Sequence, residues 1–338
     1  MRVLKVIGLI VLVLVVIVVV LGLVAPKDYF AERSIRTSAP PEVVFSHVRY
    51  WKDWHAWSPW AEQDSTMQSS VTGEDGEIAS LYSWTGDPDL TGRGEMSTTG
   101  VTPNEQVRYH LHLIEPWESE SDGYVRIKPV DRGSQVSWAM YGKNAFPWNV
   151  AMLFMNMDKM IGPDFERGLE LLKGLAEKDA AVLARYPASE VEFPGGRYAV
   201  IRAMVPFTGI KDFFIRSLGT VEQATSKARG VRIAGAPVGL YYTWDEKAGS
   251  TDLAVGMPTT GTVETSNVSM IDVPPGRAFK VDYYGPYEGM VAAYGSLSLY
   301  FHVQGLTFKG PAMEEYVTDP TAEPDTTKWL TRIYFFTE

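Results

Sequence analysis

Two residues near the end of the chain have the types and the spacing for a small-molecule site. Glu314 and Tyr316 alternate on a strand-like run, so both side chains lie on one face of it. A carboxylate that faces inward beside aromatic rings attracts a cation through its own charge and through the π faces. Glu315 would then point the other way, to solvent. The alternative is that Glu314 is a solvated residue at a sheet edge.

Other chemistry finds little support in the residues. His110 and His112 are two apart on a strand-like run, but no third ligand is spaced to join them, so a polar sheet face explains them better than a metal. The chain has no cysteine, which excludes thiol chemistry and disulfides. No nucleophile elbow, phosphate-binding loop or dinucleotide glycine fingerprint occurs. We therefore expect no metal and no cofactor, and binding rather than catalysis.

The charge balance bears on the partners. The formal net charge is −10, and the body contains no basic cluster. A surface that binds DNA or RNA needs a positive stripe, so we expect no nucleic-acid partner.

Tryptophans form a second candidate set. Trp84 and Trp138 lie on strand-like runs, where they either line a cavity or fill it. A run with a spacing of three would gather on one helical face, but Pro59 and the intervening polar residues predict a broken helix or loop that packs in the core. That run is Trp51, Trp54, Trp57 and Trp60.

The elements that position Glu314 form an internal repeat over about residues 190–338. Pro194-Gly195-Gly196-Arg197 corresponds to Pro274-Pro275-Gly276-Arg277, and each is followed by a strand, a turn and a helix. A spacing of 74 residues relates Tyr242 to Tyr316, which also makes Leu240 the equivalent of Glu314. The repeat predicts a pseudo-two-fold unit with its pocket at the seam between the halves. Tyr242, Trp244 and Tyr287 are then candidate pocket walls, or simply core residues.

The preceding segment, 28–178, predicts an α+β helix-grip fold. A short helix begins near Pro41, several alternating runs predict an antiparallel sheet, and a long helix over about 150–177 closes the segment. The turn-forming stretch at 178–194 marks the predicted domain boundary.

The chain begins with an apolar run. Residues 6–25 contain no charged or polar side chain and are long enough to cross a bilayer, so residues 1–27 are predicted to be an uncleaved anchor rather than a signal peptide. Arg2 and Lys5 precede the run, which favours a cytoplasmic N-terminus and an extracytoplasmic body.

Motifs in residues 28–178 resemble the START-like polyketide cyclase/dehydrase superfamily (SRPBCC). The resemblance implies a curved sheet around a long helix, with a hydrophobic cavity between them. The matching motifs are Trp54-His55-Ala56-Trp57-Ser58-Pro59-Trp60, Tyr82-Ser83-Trp84, Gly92-Arg93-Gly94, Trp138, and Gly162-Pro163-Asp164-Phe165-Glu166-Arg167-Gly168-Leu169.

Residues 190–338 resemble the GyrI-like effector-binding domain of gyrase-inhibitory proteins and multidrug-sensing regulators. In that family a glutamate two residues before a tyrosine lies in the seam pocket and meets cationic aromatic ligands, which places Glu314 in that role. The DNA-binding helix-turn-helix found before the domain in regulators is absent here. The matching residues are Gly285-Pro286-Tyr287-Glu288, Gly310-Pro311, Glu314, Tyr316, Asp319-Pro320 and Trp329-Leu330-Thr331-Arg332-Ile333-Tyr334.

Three functions remain open on the sequence. The first is a membrane-tethered protein that binds apolar or cationic aromatic small molecules in two cavity-forming domains. The second, implied by the GyrI-like resemblance, is a hydrolase of strained electrophilic rings in which Glu314 orients or activates water and Tyr316 donates a proton. The third is an interaction module with neither pocket open. The lack of a catalytic constellation favours the first.

Overall fold

A computed structural model describes residues 2–263 and 265–338, with the side chains of residues 2–5 not described. Met1, at the start of the predicted anchor, lies outside the described residues. The chain divides into two compact units, one that ends at Ala180 and one that spans Ala181–Glu338. Both are mixed α+β, and each has one sheet.

The first unit begins with helix α1 (Arg2–Val24). Its segment Val6–Val24 is long and apolar enough to cross a membrane, a property that signal sequences share. Almost all of its side chains are exposed in the folded chain, so this helix is not part of the core.

An antiparallel sheet of seven strands follows, in the order β1-β7-β6-β5-β4-β3-β2. The short strand β2 is polar and lies at the sheet edge, and the sequence pattern did not reveal it. The strands are β1 (Asp28–Thr37), β2 (Gln68–Thr72), β3 (Leu81–Thr85), β4 (Arg93–Thr102), β5 (Gln106–Glu115), β6 (Ser119–Val130) and β7 (Gly133–Lys143).

Four further helices complete the unit: α2 (Pro41–Arg49), α3 (Trp51–Trp54), α4 (Pro59–Gln63) and α5 (Met157–Arg185). The tryptophan run is a broken helix, as predicted, because Pro59 starts α4 after a short turn. The closing helix was predicted to end at residue 177 but continues to Arg185, because the Ala-rich stretch 179–184 favours helix.

The second unit is an eight-stranded sheet with two helices, α6 (Ile210–Lys227) and α7 (Val291–Gln304). The strand order is β12-β9-β11-β10-β14-β15-β13-β8. The strands are β8 (Ser189–Phe193), β9 (Gly196–Pro206), β10 (Val238–Tyr241), β11 (Ser250–Pro258), β12 (Ser269–Val273), β13 (Gly276–Tyr284), β14 (Lys309–Tyr316) and β15 (Leu330–Phe336).

This order is palindromic for the two halves of the repeat. Each half contributes strand, strand, helix, strand and strand, and the first strand of each half pairs with the other half: β8 with β13, and β12 with β9. The two halves meet where β10 pairs with β14. A pseudo-two-fold axis therefore passes between β10 and β14, and any residue beside it is close to both halves.

Candidate functional site

The central feature of the second unit is a buried carboxylate surrounded by tyrosine hydroxyl groups. Glu314 lies on β14, next to the axis, and is only 3 % exposed. The Tyr294 hydroxyl, from α7, donates a hydrogen bond to Oε1 at 2.7 Å. The Tyr241 hydroxyl, from β10, donates to Oε2 at 3.1 Å, and the Tyr316 hydroxyl donates to the same oxygen. Three separate elements thus direct hydroxyl groups at one side chain.

The electrostatics of Glu314 are unbalanced. Burial raises the pKa of the Glu314 carboxyl above its ordinary 4.5, and the three tyrosine hydroxyls oppose this rise because they stabilise the charged form. In the described part of the chain, no Lys, Arg or His forms an ion pair with Glu314. The carboxylate is therefore solvated by neutral donors alone, and a bound cation would relieve the cost of its burial.

The charge also acts on its donors. Burial, followed by the nearby Glu314 charge, holds the pKa of Tyr294 and of Tyr316 well above 10. The same two causes raise the pKa of Tyr241. All three phenols therefore stay protonated around neutral pH and act as donors.

Aromatic rings enclose this group. The Tyr316 ring makes edge-on contacts with Phe214 at 5.2 Å and with Tyr287 at 5.4 Å between centroids. Tyr287 also lies 5.1 Å from Trp329. On the other side Trp244 lies 6.2 Å from Tyr241. The faces of these rings provide the surface that cationic aromatic groups favour.

One predicted pocket residue is on the wrong face. Gly239 pairs directly with Glu314 across the axis, so the equivalent positions are 75 residues apart and Tyr241 corresponds to Tyr316. The predicted spacing of 74, which matched Tyr242 to Tyr316 and Leu240 to Glu314, is wrong by one residue. A slip of one residue along a strand moves every side chain to the opposite face. Tyr242 accordingly lies away from Glu314, with the Arg202 guanidinium 3.6 Å from its ring centroid.

The two halves differ where they meet. The first helices correspond at a spacing of 80, since the short 3-10 helices Phe207–Gly209 and Tyr287–Gly289 precede them. Phe214 is therefore the equivalent of Tyr294. A Cβ atom added to Gly239 would lie 2.8 Å from Phe214 Cζ, so Phe214 occupies the place of a side chain there. One half presents a tyrosine on a glutamate, and the other presents a phenylalanine on a glycine.

The remaining predicted residues lie in different surroundings. Tyr287 belongs to the aromatic shell, and Trp244 lies at its outer side, 57 % exposed and stacked on Phe207 at 4.2 Å. Trp84, in the first unit, is partly buried and donates its indole N–H to the Thr91 carbonyl at 3.1 Å. Sequence reasoning missed Tyr241, Tyr294 and Phe214. Alignment of the two helices at a spacing of 80 would have placed Tyr294 beside the seam.

In the first unit, indole rings fill the space between sheet and helix. Trp138 is fully buried, stacked on Phe165 of α5 at 4.4 Å and in edge-on contact with Trp57 at 5.0 Å. Trp54 lies 5.9 Å from Trp138, and its N–H donates to the Val48 carbonyl. The resemblance implied a cavity here, but these side chains occupy that volume. Trp138 is a core residue in this structure.

The histidine pair on β5 is used in ion pairs. His110 lies 3.0 Å from Asp122, and His112 lies between Glu95 and Glu118. Among residues 2–263 and 265–338, no group of three His, Cys, Asp or Glu side chains is arranged to hold a metal ion.

Comparison with protein families gives one match. Residues 31–177 match the model of the family described as polyketide cyclase / dehydrase and lipid transport. The predicted SRPBCC character of the first unit is thereby confirmed at the level of the family. This match spans less than half of the chain, and no curated protein matches it.

Comparison with solved structures gives similarity at low identity. A crystal structure of the EcmrR C-terminal domain is 22 % identical, with a TM-score of 0.42, over 45 % of this chain and 98 % of that one. A cryo-EM structure of an EcmrR–DNA complex is 20 % identical, with a TM-score of 0.41, over 57 % of this chain and 76 % of that one. The Aha1 dimer from Colwellia psychrerythraea is 14 % identical, with a TM-score of 0.34, over 44 % of this chain and 96 % of that one.

At this identity and overlap, the structural matches assign no function to the chain. The GyrI-like character of residues 190–338 and the absence of a nucleic-acid partner both stay predictions.

Proposed function

We propose that this chain is a membrane-tethered protein that binds small cationic aromatic molecules at Glu314. One observation carries the proposal: a carboxylate that is almost fully buried, has no ion-pair partner among the described residues, and lies inside a shell of aromatic rings. A permanently buried charge is costly unless something compensates for it. A flat cation would supply the missing charge and would stack on the surrounding rings.

The hydroxyl groups make the site adaptable. In the structure the tyrosines saturate the carboxylate, so a ligand has to displace at least one of them. Tyr316 is the best candidate to move, because it shares Oε2 with Tyr241 and is held by edge contacts with Phe214 and Tyr287. Displacement exchanges a neutral donor for a positive one, which favours cations over neutral ligands of the same shape.

Ligand panels test this function directly. Trp244 is exposed and lies beside Tyr241, so its emission should respond when an aromatic cation enters the shell. We expect quenching by cationic aromatic dyes, and weaker or no response to neutral analogues. If no dye and no lipid changes the emission or the melting temperature, the binding function is wrong.

Hydrolysis is the second candidate, and the contact between Tyr316 and Glu314 favours it. A tyrosine proton donor beside a carboxylate of raised pKa is a pair suited to general acid–base chemistry. The distinguishing measurement is turnover of a cyclopropane-containing substrate. Product formation that Glu314→Gln abolishes would establish catalysis, whereas stoichiometric binding without product would exclude it.

The tether and its orientation form a separate part of the proposal. Val6–Val24 supports a single membrane span, and Arg2 and Lys5 before it favour a body on the extracytoplasmic side. Retention in the membrane fraction after alkaline carbonate washing tests the span. Protease added to intact cells should digest the body, and a protected body would reverse the orientation.

A further inference from the structure

Exposed apolar side chains in the first unit gather at one end of its sheet. The strand β1 starts just after α1, and Asp28 pairs with Lys143, so the end of β7 lies where the chain leaves α1. The Asn144 N–H donates to the Lys27 carbonyl at 2.7 Å, which extends this pairing by one residue. This end of the sheet is therefore the end nearest the apolar helix.

The strand register brings two turns to the same end. Arg93 pairs with Glu115, so the β3–β4 turn and the β5–β6 turn both lie there. Thr72 pairs with Leu81, which places the β2–β3 connection at the opposite end. We use the name α1-side rim for the large exposed side chains at the near end. These are Phe30, Leu90, Trp117, Phe146, Trp148 and Phe154.

The segment between β7 and α5 contributes half of the rim. Residues 144–157 contain no charged side chain, although charged residues flank them on both sides. Trp148 is 74 % exposed and Phe154 is 82 % exposed. A globular protein rarely leaves two such rings in solvent within one short segment unless they contact something.

This segment also packs against the last turn of α1. The Asn149 side-chain amide donates to the Gly22 carbonyl at 2.7 Å. A Cβ atom added to Gly22 would lie 2.5 Å from Phe146 Cδ2, so glycine allows this close approach. The segment is therefore fixed at the level where the apolar helix ends.

We propose that the α1-side rim inserts into the interface of the bilayer that holds α1, so that the first unit lies on the lipid surface instead of hanging from a flexible tether. Indole and phenyl rings favour the headgroup level of a bilayer, where one part of the ring is apolar and the other contacts water. The inference rests on the proposed membrane tether. Asp87, Asp89 and Glu118 lie in the same two turns, so insertion of rings, not attraction to anionic lipid, holds the contact.

The absence of native cysteine allows a direct test on the full-length protein in liposomes. Trp148→Cys and Phe154→Cys would each carry one environment-sensitive fluorophore, with nitroxide lipids and aqueous iodide as quenchers. Ile78→Cys is the matched control, because Ile78 is also exposed but lies at the far end of the sheet. Probes about 5–10 Å inside the headgroup boundary should lie within reach of a shallow nitroxide.

The expected result is a shift of emission to shorter wavelength and strong nitroxide quenching at positions 148 and 154, with iodide quenching only at position 78. The result should be the same in zwitterionic and anionic liposomes. Iodide quenching at all three positions would overturn the inference, as would protection from both quenchers, which would indicate a protein contact. If the chain fails to remain in the liposomes at all, the tether itself is wrong, and that failure is read from flotation before any fluorescence.

Discussion

Substitution of Glu314 by glutamine is the most informative perturbation of the proposed site. The variant keeps the shape of the side chain and an acceptor oxygen for the tyrosine hydroxyls, but it removes the charge. Two unit charges about 4 Å apart interact by about 4 kcal/mol at an effective dielectric constant near 20. Desolvation of the ligand and loss of a tyrosine hydrogen bond offset part of this energy, since a hydrogen bond to a charged group contributes about 1.5–3 kcal/mol.

The net loss for a monovalent aromatic cation should therefore be about 2–3 kcal/mol, which is roughly 30- to 150-fold in Kd. Calorimetric titration with a cationic dye, paired with a neutral dye of the same ring system, measures it. The neutral dye should change by less than about three-fold, because its binding depends on ring contacts that the variant retains.

Glu315→Gln is the matched control. Glu315 neighbours Glu314 on the same strand but faces the opposite side, where it accepts from the Tyr334 hydroxyl at 3.0 Å. Its substitution should leave both dyes unaffected. The reasoning is refuted if Glu314→Gln binds the cation as tightly as the native chain, or if both dyes weaken equally.

Other consequences follow from the same contacts. Cation binding requires ionised Glu314, so affinity should fall as pH drops through the raised pKa of that carboxyl, and Tyr294→Phe, which removes a donor that lowers this pKa, should move the loss to higher pH; unchanged pH titrations of dye binding would contradict this. Because the Glu314 pKa is higher in the folded than in the unfolded chain, its stabilising effect is present below about 4.5 and is lost as pH rises through the folded value, so Glu314→Gln should gain stability relative to the native chain across that window in urea unfolding. Trp138→Ala should destabilise the first unit by about 3–5 kcal/mol, because it empties the centre of a packed indole cluster; a smaller loss in urea unfolding would indicate an open cavity there. Gly239→Ala should destabilise the second unit by about 1–3 kcal/mol because its Cβ would press on Phe214, whereas Gly219→Ala, in open space on α6, should stabilise by about 0.5–1 kcal/mol; equal melting temperatures for the two variants would contradict the packing.

Much of the secondary structure could be read from the sequence, because period and turn residues determine it locally. The alternating runs of the first unit, the break at Pro59 and the internal repeat are local patterns, and the structure contains each of them. The strand β2 was missed because a short polar edge strand lacks an alternating pattern.

The composition of the site was harder to predict because it depends on register between distant strands. Glu314 and Tyr316 were identified from spacing and resemblance, but Tyr241 was replaced by its neighbour Tyr242. Motif spacing across an insertion cannot fix a register to one residue, and one residue decides the face. Tyr294 comes from a helix of the same half, so only the packing of α7 on the sheet brings its hydroxyl to Glu314.

The difference between the two halves has a physical reason at the axis. Gly239 and Glu314 are direct cross-strand partners, and side chains at such positions have Cβ atoms about 4.5–5.5 Å apart. A symmetric repeat would place two carboxylates there, and like charges at that distance cannot both ionise in a buried site. The chain keeps one carboxylate and gives the opposing position to a glycine covered by Phe214. The charge is thereby available to a ligand, and the vacated side supplies an apolar wall, so the asymmetry itself favours a ligand with one positive charge and one flat apolar face.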